Sequence, residues 1–155
     1  MFDQNQLCKF LLKAKKSTYA AGDQIKKFIE KDKSKTLIFN EWDWHYHDNY
    51  FGGEPFGWRE VIFYKWLSVY IMVYYGYVDQ SIKNVKLVYR FLQRALTQIP
   101  ADKPFRWPIK YEEDNLVYNN IFTGEIENFF GEETILQDGK EIYKARYVGG
   151  LVDQR

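Results

Sequence analysis

Cysteine, proline, net charge and long apolar runs are all scarce in this chain. A single cysteine, Cys8, stands among 155 residues, so no intramolecular disulfide can form. That usage fits a reducing compartment and sets the expectation of a cytoplasmic protein. Cys8 falls in a helical pattern and reads as a small apolar packing residue. No stretch approaches the roughly 20 apolar residues of a membrane-spanning helix, and the longest apolar run, Val69 to Val78, is rich in tyrosine. Met1-Phe2-Asp3-Gln4 lacks the basic start of a signal peptide, so no membrane association is expected. Lys and Arg number 22 against 21 Asp and Glu, a net charge of +1. Without an excess of one sign there is no general steering toward nucleic acid, and no nucleic-acid partner is expected for this chain alone.

Several chemistries are missing as well. No serine stands in a Gly-x-Ser-x-Gly setting, and Gly52-Gly53 and Gly149-Gly150 lack the lysine or helix start of a phosphate loop. His45-x-His47, near Asp43 and Glu41, could supply metal-ligand nitrogens, but the same residues read as the solvent side of a half-buried strand. No metal and no cofactor are expected.

Aromatic residues are abundant. Thirteen Tyr, twelve Phe and five Trp make up 19% of the chain. At this length about 68–70% of the unfolded surface can be buried, enough for one α+β domain over residues 1–155. A helix is expected over 4–16, started by Asp3 and carrying Leu7, Phe10, Leu11 and Ala14 at helical intervals. Lys13, Lys15 and Lys16 suit its C-terminal dipole. Residues 17–35 read as a charged connection with a helical turn near Ile25, Phe28 and Ile29. From Thr36 the period becomes two, with a parity slip before Trp42, Trp44, Tyr46 and Tyr50 that suggests a β-bulge. Further strands are expected at 59–64 and 69–77. A second helix over 81–98 buries Val85, Val88, Leu92, Ala95, Leu96 and Ile99 and ends at Pro100. Its outer face carries Lys83, Lys86, Arg90 and Arg94, a stripe read as solvated. Pro104 to Pro108 is read as an extended connector. A meander follows at 115–122, 125–130, 133–136 and 141–147, with a hairpin turn at Asp138-Gly139. The fold class is therefore a curved, mainly antiparallel sheet with two principal helices packed on it.

Asp48 sits between Tyr46 and Tyr50 on the aromatic face, where a carboxylate needs a partner. Arg59 and Arg106 are the candidates. The expected ligand-binding set is Asp48, Tyr50, Glu60, Tyr74, Arg106 and Tyr118, a concave aromatic site for a small planar or nucleotide-like ligand. The leading reading is a non-enzymatic binding or sensor module. The alternatives are an interaction unit forming homo-oligomers, or a hydrolase with Asp48 or Glu60 as general base.

Leu12-Lys13-Ala14-Lys15, Thr18-Tyr19-Ala20 and Tyr46-x-Asp48-x-Tyr50-Phe51-Gly52-Gly53 form a motif series. It continues through Glu60-Val61, Met72-x-Tyr74-Tyr75-Gly76, Pro104-Phe105-Arg106-x-x-Pro108 and Gly149-Gly150-Leu151. In these the chain resembles an uncharacterised bacterial domain family sometimes appended to helix-turn-helix regulators of the XRE type. The resemblance implies an α+β domain with no established reaction. Relatives tend to carry asparagine and histidine where this chain has Val73 and Val148.

Overall fold

The computed structural model describes residues 2–21, 25–104, 108–153 and 155. Among these, the chain forms two α-helices, α1 (Gln4–Ser17) and α2 (Val85–Thr97). Nine strands accompany them: β1 (Phe28–Ile29), β2 (Lys35–Glu41), β3 (Trp44–Gly52), β4 (Phe56–Tyr64), β5 (Leu67–Val78), β6 (Lys110–Glu113), β7 (Leu116–Glu125), β8 (Asn128–Gln137) and β9 (Lys140–Leu151). They make one antiparallel sheet in the order β1-β2-β3-β4-β5-β9-β8-β7-β6. The architecture is α+β with a curved, open sheet, as the sequence implies.

Local chemistry explains where the elements begin and turn. The Asp3 carboxylate accepts from the Asn5 amide at 2.9 Å and caps α1. α2 starts at Val85 rather than at residue 81, because Asp79 takes the Ser81 amide at 2.9 Å and holds that stretch as a turn. The parity slip near Trp42 is a hairpin, not a bulge. Trp42 and Asp43 link Glu41 and Trp44, which are register partners, and Trp42 takes φ +56°. The Lys65-Trp66 turn has φ +50° and +66°, the mirror-image geometry that suits twisted hairpins. Trp66 tolerates it while stacking on His45 at 3.6 Å between ring centroids. Phe28 and Ile29 pair with Thr36 and Lys35 as an edge strand, replacing the expected helical turn. The short strand β6 falls between the expected connector and meander, and the connector's Phe105, Arg106 and Trp107 lie outside the described residues.

β8 is one strand where two were expected. Gly131 falls inside it, paired with Tyr147 of β9, and a Cβ there would lie 2.4 Å from the Tyr147 hydroxyl oxygen. The glycine makes room for a neighbouring ring. Asp138-Gly139 forms the expected turn, with φ +51° and +80°.

The core lies on the inner sheet face beneath the helices. α1 buries Leu7, Phe10, Leu11 and Ala14, and α2 buries Val88, Phe91, Leu92, Ala95 and Leu96. Phe10 stacks on Trp44 at 5.5 Å and Phe91 meets Tyr111 at 5.5 Å. The period-two pattern of β3 to β5 places Tyr46, Ile62, Tyr70 and Met72 inward, all but solvent-free.

Candidate functional site

Hairpin register assembles a charged cluster inside this apolar face. Asp48 and Glu60 are register partners across β3 and β4, and Glu60 faces Met72 across β4 and β5. Side chains directly opposite stand about 4.5–5.5 Å apart at Cβ, so the two carboxylates are neighbours. From above, α1 lowers Lys15, whose Nζ lies 2.9 Å from Glu60 Oε2 and 3.7 Å from Met72 Sδ. The Tyr74 hydroxyl donates to Glu60 Oε1 at 3.4 Å. Asp48 is 1% exposed, Glu60 3% and Lys15 6%, so the charges sit where solvent cannot screen them. Tyr46 lies beside them fully buried. Burial first, then the Asp48 and Glu60 carboxylates, push its hydroxyl well above the usual phenol range.

A row of rings flanks the cluster. Tyr50 and Trp58 stack at 4.4 Å, and Trp58 and Tyr74 stack at 5.5 Å. Tyr50 and Trp58 are half-buried, and Tyr74 is buried. Lys35 and Lys27 stand over the Tyr50 ring at 5.5 and 5.8 Å.

Four of the six sequence-chosen residues, Asp48, Tyr50, Glu60 and Tyr74, thus share one inner-face neighbourhood. Tyr118 is inward-facing too, but it serves another cluster. Its hydroxyl donates to Glu133 Oε2 at 2.8 Å, and the Tyr143 hydroxyl donates to Glu133 Oε1 at 2.7 Å. Arg106 lies outside the described residues. Arg59 does not face Asp48, because odd-numbered positions of β4 point to the outer face. Sequence reasoning missed Lys15, read as a dipole cation. The signal was present: Leu7, Leu11 and Lys15 recur at four-residue spacing, which places Lys15 on the buried stripe.

The histidines lie on the outer face. His47 is half-buried against the Phe63 ring at 5.2 Å. Burial first, then neighbouring His45, lowers its basicity below the usual imidazole range. Cys8 is half-buried in α1, and burial followed by Glu127 and Asp3 pushes its thiol up. A raised thiol holds less thiolate at a given pH. Alkylation of Cys8 by iodoacetamide at pH 8 is therefore expected to run several-fold slower than that of free cysteine. A rate equal to free cysteine would contradict this environment.

The outer face of β5, β9, β8 and β7 is apolar and exposed. Val73 pairs with Val148, and Val148 pairs with Phe130. With Tyr75 and Ile121 they line an open groove of about 640 Å³. Val73 and Val148, where the resemblance implies asparagine and histidine, are thus register partners lining this groove.

Among the described residues, no helix is long and apolar enough to cross a membrane. No curated protein and no solved structure matches the chain. A protein-family model, described as "Domain of unknown function (DUF5680)", matches residues 48–152. The matched span opens at Asp48 and contains Glu60, Met72 and Tyr74, while Lys15 comes from the helix that precedes it. Since the match covers more than half of its length, the chain belongs to the DUF5680 family of uncharacterised domains.

Proposed function

We propose that this chain is a non-enzymatic binding module that takes a small planar or nucleotide-like ligand against Tyr50 and Trp58, with Asp48 and Glu60 fixing its orientation. The observation that carries the reading is the buried Lys15–Glu60 ion pair beside Asp48, at the foot of a stack of rings. Burying such charges costs several kcal/mol per ion, and costly buried ionisable groups concentrate at functional sites. Trp58 is held between Tyr50 and Tyr74, and the half-buried edges of Tyr50 and Trp58 offer the contact surface. Both oxygens of Glu60 are engaged, by Lys15 and by Tyr74, which favours orientation over general-base chemistry. Arg106, chosen from sequence, is proposed as a further polar contact. A bacterial, cytoplasmic reader is the form proposed. Where relatives carry a helix-turn-helix module, as the resemblance implies, the same domain would act as a sensor.

Titration of the protein with adenosine monophosphate, followed by NMR of the aromatic side chains, tests the reading. Shifts are expected at Tyr50 and Trp58, lost in Trp58→Ala and kept in Trp66→Ala. Shifts that survive Trp58→Ala would overturn the placement.

The outer apolar groove favours a second reading, assembly with another protein surface. Contiguous exposed apolar area of this kind marks interaction sites, and it stands where the resemblance implies asparagine and histidine. Concentration-dependent sedimentation abolished by Phe130→Asp would support it. A monomer at every concentration would remove it.

A further inference from the structure

A second site lies on the opposite sheet face, over β2, β3 and β4. The loop before β2 carries Asp32, whose Oδ1 accepts from the Ser34 amide at 3.0 Å and from the Ser34 hydroxyl at 2.6 Å. The Ser34 proton is thereby committed to Asp32, and only lone pairs of its Oγ face β3. Asn49 meets them with its NH₂ group, donating to Ser34 Oγ at 2.9 Å and Thr36 Oγ1 at 3.1 Å. The chain of donors fixes the orientation of the amide. Its other end, Oδ1, points away from both hydroxyls. It has no hydrogen-bond partner, and Asn49 is only 5% exposed. A buried acceptor left in this state costs about 1–3 kcal/mol, a cost that an arriving N–H would relieve.

Asn49 lines a pocket of about 620 Å³ whose remaining walls complete a recognisable set. Arg59 is the register partner of Asn49 and is exposed, and it forms no ion pair among the described residues. Glu30 and Asp32 also line the pocket, with Lys31 between them in sequence. Ile38, Val61 and Phe63 supply an apolar floor, with His47 of β3 beside them. Two cations (Arg59 and Lys31), two carboxylates and an unmet acceptor over apolar carbon complement a molecule with an anion, an ammonium and a hydrocarbon body. We infer that this outer pocket binds a free α-amino acid with an aliphatic side chain. The ligand's carboxylate meets Arg59, its ammonium meets Asn49 Oδ1 and the Asp32–Glu30 wall, and its side chain lies on the apolar floor. A guanidinium holds a carboxylate by paired hydrogen bonds, and hydrogen bonds to charged groups contribute about 1.5–3 kcal/mol each.

The site is independent of the inner face, so it stands or falls separately from the proposed function. The test is an amide NMR titration with L-leucine, L-leucinamide and 4-methylpentanoate. L-leucine is expected to shift Thr36, Ile38, Asn49 and Val61 while leaving Tyr46 and Met72 unmoved. Leucinamide lacks the carboxylate and methylpentanoate lacks the amine, and each is expected to bind at least about tenfold more weakly, from the loss of one charged hydrogen-bonding group. Arg59→Gln is a surface change that should leave the fold intact and weaken L-leucine at least about tenfold, toward the leucinamide value. Lys140→Gln, remote from the pocket, should change nothing. Absence of shifts at the solubility limit of L-leucine would overturn the proposal. Equal binding of L-leucine and leucinamide, or an unchanged Arg59→Gln, would do the same.

Discussion

Lys15→Met is expected to lower the unfolding free energy by about 3–5 kcal/mol, the usual cost of leaving a buried charge without its partner. Methionine fills most of the volume that the lysine stem occupies, so the loss isolates the charge. Without Nζ, Glu60 keeps only the Tyr74 hydroxyl among these contacts, and the neighbouring Asp48 carboxylate repels it. The exposed pair Lys13–Glu41, with N and O 2.7 Å apart, is the internal control. Lys13→Met should cost at most about 1 kcal/mol, since solvent screens that pair. Urea denaturation of both variants decides the matter. Adding Glu60→Leu to Lys15→Met should recover most of the loss, because buried pairs can be exchanged for packed hydrocarbon at little cost. Equal losses for Lys15→Met and Lys13→Met would contradict the buried pair.

Glu133→Leu is the second large effect. Glu133 is fully buried and accepts from the hydroxyls of Tyr118 and Tyr143. Leucine leaves two buried donors without that acceptor, at about 1–3 kcal/mol each, so a loss of roughly 2–6 kcal/mol is expected. Adding Tyr118→Phe and Tyr143→Phe to the leucine variant removes the two hydroxyls that lost this acceptor and should restore part of the stability. Equilibrium denaturation of the single and triple variants reads this directly. A triple variant no more stable than Glu133→Leu would show that the tyrosine hydroxyls do not carry the effect. This result also bears on Tyr118, which the sequence marked as a ligand contact and which sits 2.8 Å from Glu133 as a structural donor.

These two clusters show what was legible in the residues and what was not. Alternation in β3 placed Trp44, Tyr46, Asp48 and Tyr50 on one face, because period-two patterning survives into the sheet unchanged. Which strands pair, and in what register, depends on turns that composition disguised. Lys65-Trp66 and Trp42-Asp43 are poor turn sequences that nonetheless turn with positive φ, the first with Trp66 stacked on His45. The approach of α1 to Glu60 was not legible, because a helix stripe reports which face is buried and not what it meets. The expected gap between strands 125–130 and 133–136 failed for a related reason. Gly131 lies inside β8 opposite Tyr147 of the next strand, whose ring takes the space a Cβ would fill. The outer pocket rests on a loop-to-strand contact between Asp32, Ser34 and Asn49 that no local pattern encodes.

The central claim, a planar ligand held at the inner-face rings, is tested most directly by mass spectrometry of freshly purified protein. Native and denaturing spectra of the wild type and of Trp58→Ala should be recorded side by side. The account predicts an added mass in the native wild-type spectrum that disappears on denaturation and is lost in Trp58→Ala. Discrete multiples of the chain mass with nothing added, or an adduct retained in Trp58→Ala, would contradict it.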